Sequence, residues 1–414
     1  MVPRPSDSSR TSERVRRIEP QRIRVMFDRA AALEADSNAD PDLDLDLDLV
    51  HLEIGEPDFE TPTHVVEAAH EAAAGGATNY TANAGILELR EALSERIAEE
   101  TGRRVDPASE ISVTTGGVEA HHLAVHTVAD PGDEIVVPTP AWPNSISQAE
   151  LASAVPVQVP MPAAEGFAPD PERIVDAIGP ETAAVVLTSP SNPTGRVFDA
   201  DAIERVLEAA VDHEAYVLAD EVYRALTYDA TPPSVASVAD REQREWVLTI
   251  DSVSKRYAMT GWRVGWISGP ADVIGEIVKI RESSTSSVNA PAQYAALEAL
   301  TGPREPFEAM RDAFGARREY VVDRLESIPE LSAARPEGAF YAFVDVRALE
   351  GSSWEITERL LEEYGVVTAP GTAFGDGGEG YIRLSFANDL DRLEMGLDRL
   401  EAMVRAELES DPES

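Results

Sequence analysis

From Leu52 onward the chain alternates short apolar runs with longer stretches whose apolar positions recur every three or four residues. The first kind reads as buried strand and the second as amphipathic helix. THVVEAAHEAAAGG and LELREALSERIAEETG predict two helices that end at glycines. Then ISVTTGG opens onto the helix pattern VEAHHLAVHTVA. Strand patterns follow at DEIVVPTP, AVPVQVPM, AAVVLTSP, AYVLADE, WVLTIDSVSK and RVGWISGP, with helices at PERIVDAI and DADAIERVLEAAVDH between some of them. Short, uniformly apolar strands spaced by helices predict an α/β fold, a mainly parallel sheet covered on both faces. After Asn289 the texture changes to long helical patterns. GAFYAFVDV, GVVTAPGTAFG, YIRLSFA and a last helix from Asp389 then predict a smaller α/β domain.

The expected organisation is a polar, acidic N-terminal arm over 1–48, a large domain over 49–288 and a small C-terminal domain over 289–414. Two cores suit a chain of 414 residues. Within the arm, DLDLDLDL alternates with period two, but aspartate disfavours strands, so it reads as a solvated acidic insertion leading into a short strand. No run approaches the roughly 18 apolar residues of a membrane span, and the first residues lack the apolar centre of a signal peptide. With no cysteine there is no disulfide and no thiolate metal site. A soluble, cytoplasmic protein is expected.

Charge narrows this further. Seventy-six acids against 35 bases give a formal net charge of −41, which excludes a nucleic-acid partner in the ordinary sense. The acids are spread among periodic apolar segments, so the chain is not a disordered acidic tail. Lysine is almost absent: Lys255 and Lys279 stand against 33 arginines. Dispersed acid with scarce lysine points to a halophilic protein, whose self-repulsion is screened where the Debye length falls to roughly 3 Å near 1 M salt.

Ligands of open α/β sheets collect at the carboxyl ends of the strands, and there the sequence concentrates chemistry. A lysine amine can form a Schiff base with an aldehyde cofactor. Lys255 sits in SVSK, with Ser252 and Ser254 before it and Arg263 after it, a set able to hold a phosphate. The turn before the helix at Val118 could receive that phosphate on the backbone N–H groups of Gly117 and Val118. Asp220 could keep a pyridine nitrogen protonated. Tyr223 and Asn192 could donate to a ring phenolate, and Trp142 could stack on a flat ring.

These segments resemble the class I/II, fold-type I aminotransferases that depend on pyridoxal phosphate, the aspartate aminotransferase superfamily. The resemblance covers about Leu52–Leu400 and rests on IGEPDF, the Tyr80 segment YTANAGILELR, TTGG, SPSNPTG, DEVY, SVSKRYAMTGWRVGW, PGTAFG and YIRLSFA. It implies that Lys255 carries the cofactor and moves the proton, and that Asp220 pairs with the pyridine nitrogen. It assigns Asn192 and Tyr223 to the ring oxygen, Trp142 to stacking, and Ser252, Ser254, Arg263, Gly117 and Val118 to the phosphate. It further implies a homodimer in which Tyr80 reaches the neighbouring subunit's phosphate. Arg383 would take the substrate α-carboxylate, helped by Asn192 and the backbone at Gly55. Val118 stands where relatives often have Ser, Thr or Lys, and Ala82 where many have proline. The implied reaction is ping-pong transfer of an amino group between an L-amino acid and a 2-oxo acid. A lyase on the same scaffold, or a cofactor-binding regulatory module, would share these motifs, and the donor is not specified by them.

Three further groups have plainer readings. His122 and His126 lie one helical turn apart with Glu119 nearby, a spacing found in metal sites, but no further ligand is evident, so no metal is expected. Lys279 falls in a helix pattern with a structural role. Arg22 and Arg24 lie in an arm that in relatives packs on the partner or closes over the site, which would allow a contact with substrate. A guanidinium cannot serve as the amine nucleophile, which explains a lysine at Lys255 in a chain that otherwise avoids it. The charge pattern predicts salt dependence: moving the protein from about 2 M to about 0.1 M KCl lowers its melting temperature, and full stability in dilute buffer would contradict the halophilic reading.

Overall fold

The computed structural model describes residues 11–39 and 48–410. The strands are β1 (Val50–His51), β2 (Ile111–Thr114), β3 (Glu134–Thr139), β4 (Val155–Pro160), β5 (Thr182–Thr188), β6 (Tyr216–Asp220), β7 (Val247–Ser252), β8 (Gly265–Ser268), β9 (Ser332–Ala333), β10 (Tyr341–Asp345), β11 (Val366–Val367), β12 (Ala369–Pro370) and β13 (Tyr381–Ser385). Seven of them form the central sheet in the order β2-β8-β7-β6-β5-β3-β4. Strands β3 to β7 are mutually parallel where they pair, and β8 runs antiparallel to both β2 and β7. Every residue of β2 and β8 is buried, as is nearly all of β5 and β6. That is the burial expected of strands covered on both faces, so their apolar runs carry no alternation.

The covering helices start and stop where local chemistry directs. Asp199 caps Ala200–Asp212 by accepting from the Ala202 N–H at 2.8 Å, and Ile203, Val206, Leu207 and Ala210 turn one face inward. Ser352 and Glu355 form a capping box at the head of Ser353–Tyr364, which ends at Gly365 with φ 66°. A second, antiparallel sheet has the order β12-β13-β10-β9, and β1 pairs in parallel with β11. Segment 50–51 is thereby tied to strand residues 366–367 near the other end of the sequence.

The arm differs from the polar tail expected of it. It carries two helices, Glu13–Arg17 and Arg22–Ala39. Met26 and Ala30 are fully buried against Leu49, Leu361 and Val367. Most of DLDLDLDL lies outside the described residues. Of its end, Leu49 is buried and Asp48 accepts from Arg392 at 2.5 Å. The helix Pro143–Leu151 has no counterpart in the apolar pattern, because it buries only Ser145, Gln148 and Ala149.

One register brings two strand ends and a turn together. Gly265 lies opposite Thr114 on one side and Ser252 on the other. The carboxyl ends of β2 and β7 therefore flank the start of β8. A Cβ at Gly265 would come within 2.6 Å of the Gly116 carbonyl carbon and 2.7 Å of the Gly117 nitrogen, closer than backbone can tolerate. Gly265→Ala is predicted to cost about 1–3 kcal/mol through overpacking and to displace the Gly116–Gly117 turn. Urea denaturation of the variant measures this.

Candidate active site

A cavity of about 510 Å³ opens at the carboxyl ends of the central strands. Its lining includes Gly55, Gly117, Val118, Trp142, Asn192, Asp220, Tyr223, Ser252, Ser254, Lys255, Arg263 and Arg383, every site residue expected from the sequence except Tyr80. Tyr80 projects from the chain with 91% of its surface exposed.

Lys255 is carried on a single helical turn, Val253–Arg256, directly after β7. Its amine donates to the Gly55 carbonyl and lies 5.9 Å from the ring centres of Tyr223 and Phe340. Burial lowers its pKa to about 8. Arg383 and Arg263 push the same way, against the opposing pull of Glu56 and Asp220. Asp220 ends β6, and burial raises its pKa to about 6, partly countered by the Val222 N–H that bonds its Oδ1 at 3.3 Å. The lysine turn is anchored from below. Glu100 on the helix Leu87–Thr101 accepts from Arg256 at 2.5 Å and from Arg224 at 2.6 Å, joining the segments that carry Lys255 and Tyr223.

At one corner the helix Gly116–Val128 begins. Its first-turn N–H groups have no intrahelical partners and point where an anion would be stabilised. Glu119 folds back to accept from the Thr115 N–H and from Thr285. Arg263 lies against this turn in a left-handed conformation, φ 55°, donating to Thr260 O at 2.8 Å. A Cβ at Gly116 would meet Arg263 Nη2 at 2.6 Å, so the glycine is what lets the guanidinium approach. Ser252 Oγ accepts from the Ser254 N–H at 3.3 Å, closing the same corner.

The opposite end holds Arg383 on β13. It is buried, donates from Nη1 to Asn192 Oδ1 at 3.2 Å and from Nη2 to the Glu53 carbonyl, and sits 4.5 Å from the ring centre of Tyr341. A buried guanidinium held by neutral acceptors retains its charge for an incoming carboxylate. Tyr341 is a site residue that the sequence reading missed. Its hydroxyl bonds that of Tyr223 at 2.8 Å, and it packs so tightly that a Cβ at Gly55 would meet it at 2.5 Å. GAFYAFVDV gave no sign of this, since it reads as core strand. The arm also contributes: Gln21, Ile23, Arg24 and Phe27 line the cavity.

The metal reading of His122 and His126 finds no support in the geometry. Glu119 is engaged by Thr115 and Thr285, and no group of three ligating side chains occurs among the described residues. Lys279 is an exposed partner of Glu276 at 2.6 Å.

Residues 48–400 match the family described as aminotransferase class I and II. The chain belongs to that family. It is 42% identical over 373 residues to the aspartate/prephenate aminotransferase of Thermus thermophilus, covering 89% of this chain and 94% of that one. It is 37% identical over 383 residues to an aspartate aminotransferase of Geobacillus stearothermophilus, covering 91% and 96%. A solved structure of the Thermus thermophilus aspartate aminotransferase with maleate superposes with a TM-score of 0.88 at 39% identity, covering 95% and 99%.

The protein is thus a pyridoxal-phosphate-dependent aminotransferase, and the donor set fits that cofactor. A lysine of lowered pKa, a buried acid at a strand end and an arginine on a glycine turn lie on one cavity, as an aldehyde, a pyridine nitrogen and a phosphate require. The neutral amine is the attacking form. A folded value of about 8, against 10.5 for an ordinary lysine, means the reactive fraction grows as pH rises through 8. The rate at which the apoprotein takes up pyridoxal phosphate should therefore climb with a midpoint near pH 8, measured by stopped-flow absorbance. A midpoint near 10.5 would contradict the assigned environment.

Proposed function

We propose that this aminotransferase works by a ping-pong cycle with Lys255 as the mobile base and takes dicarboxylic donors of the aspartate kind. Bound pyridoxal phosphate supplies the aldehyde that receives the amine and a ring that draws negative charge away from the substrate Cα. Everything else falls to the chain. Asp220 pairs with the ring nitrogen, which pulls its raised pKa back down. Trp142 covers one ring face, and Tyr223 and Asn192 donate to the ring oxygen. Arg383 grips the α-carboxylate, helped by Asn192 and the backbone at Gly55, with Tyr341 beside them. Lys255 would hold the cofactor's aldehyde carbon and, as the nearest base, would carry the proton between the substrate Cα and that carbon. Its lowered pKa suits both directions near neutral pH.

The observation that carries this reading is the shared cavity of Lys255, which follows β7, Asp220, which ends β6, and Arg383, in the middle of β13. Donor class rests on Arg24. Four basic side chains line the cavity: Lys255, Arg263, Arg383 and Arg24. The first three are committed to the cofactor and the α-carboxylate. Arg24 remains, exposed, 4.5 Å over the Phe27 ring and ion-paired with Asp28 at 2.9 Å, a surface pair it would exchange for a distal carboxylate. Relatives named for aspartate, and one bound to the dicarboxylate maleate, agree with this. The exposed Tyr80, Val66 and Leu87 support a homodimer that shares its sites. The high acidity supports a halophilic cytoplasmic enzyme, and a large and a small domain are its proposed plan, although Val50 and Leu52 pack in the core of the small one and Ala292, Ala295 and Ala296 in that of the large one.

Added aspartate, without any oxo acid, should convert the yellow protein to the colourless amine form with one oxo acid released per site. Release of ammonia instead would move the function to a lyase. Arg24→Ala should raise KM for aspartate up to about fivefold, the worth of one exposed charged contact, and change KM for an apolar donor less. Equal changes for both donors would remove Arg24 from recognition.

A further inference from the structure

Behind the stacking face of Trp142 lies a buried histidine that the proposed cycle does not use. His121 is fully enclosed on the helix Gly116–Val128. Its ring meets that of Trp142 edge-on, with centres 6.1 Å apart at 88°. Its Nδ1 is 2.5 Å from Gln148 Oε1, and Gln148 Nε2 donates to the Val118 carbonyl at 3.1 Å. That second bond fixes the direction of the first. A backbone carbonyl accepts only from the amide nitrogen, so the amide oxygen must face His121, and Nδ1 must carry the proton. Burial, lowering the imidazole pKa to about 4, keeps it neutral. Nε2 is then left as a buried acceptor with no partner.

An apolar side chain would fill this space and spare the unmade Nε2, but it would leave Gln148 Oε1 without a donor. What the imidazole adds is a connection. Val118 belongs to the turn at the head of one helix, and Gln148 belongs to Pro143–Leu151, the helix that Trp142 immediately precedes. The chain from His121 through Gln148 to Val118 ties the anion-binding turn to the wall that carries the aromatic ring.

We infer that His121 is a positioning residue which, through Gln148, fixes the plane of Trp142 relative to the Gly117–Val118 turn and so sets how firmly the cofactor is held. The inference rests on the cofactor-site roles proposed for Trp142 and Val118. Its test uses the full-length holoenzyme and reads binding and spectra rather than turnover. His121→Leu should raise the dissociation constant for pyridoxal phosphate about tenfold, as loss of one buried hydrogen bond requires, and shrink the visible circular dichroism band of the bound cofactor. His121→Asn, which restores a donor toward Gln148, should return both to within about twofold of wild type. Gln148→Leu should match His121→Leu, and the double variant should be no worse than either single change. Wild-type affinity and dichroism in His121→Leu would overturn the proposal. Should the leucine variants not fold, ¹⁵N-histidine spectra of the wild-type protein decide it. A proton on Nδ1, with a resonance that shifts when the cofactor binds, supports the chain. A proton on Nε2, or no shift on binding, overturns it. A wild-type protein that binds no pyridoxal phosphate would instead defeat the site roles on which the inference stands.

Discussion

The active site depends on a close backbone approach at Gly265. Strand β8 runs antiparallel between β2 and β7, and its first residue faces the last residue of each. No side chain fits there. The consequence is geometric: the turn at Gly116–Gly117 and the end of the strand that leads into the Lys255 turn both pack against Gly265, and Arg263, two residues before Gly265, lies against Gly116. A group that must be bound at a phosphate and held at a carbon some distance away finds both anchors on rigid strand ends. The remaining walls, Asp220 on β6 and Arg383 on β13, are placed by sheet register in the same way.

Electrostatics inside the cavity run opposite to those outside. The chain carries a formal charge of −41, yet four basic side chains converge on one cavity. Because the buried Arg383 and the exposed Arg263 both act on the enclosed Lys255 amine, the group that can lose its proton does so most readily, and that is the lysine. Arginine keeps its proton in the same surroundings. Burial, the larger cause, and neighbouring guanidinium groups thus bring the Lys255 amine down to a pKa of about 8, while Glu100 pairs with Arg256 and Arg224 beneath its turn.

Much of this was legible in the sequence, because strand ends and turns are local features. TTGG, SPSNPTG, DEVY and SVSK each follow an apolar run, and the cavity gathers all four. What escaped was set by distant contacts. Tyr341 acquires its role only when β10 is laid beside β13 and the segment at Gly55, so its local pattern shows nothing beyond a core strand. The arm helix hides because only Met26 and Ala30 need face inward, too few to outweigh its charges. Pro143–Leu151 buries polar rather than apolar residues, and the pairing of His121 with Gln148 joins positions 27 apart on two helices. Tyr80 was legible as a residue but has no role within one chain, since it faces outward.

The central claim is that Lys255 bears the cofactor, and the scarcity of lysine makes it directly measurable. With only Lys255 and Lys279 in the chain, the protein loaded with pyridoxal phosphate can be reduced with borohydride, digested and analysed by mass spectrometry. The account predicts the cofactor's mass on the peptide containing Lys255 and none on the peptide containing Lys279. Attachment at Lys279, or no attachment to either lysine, would contradict it.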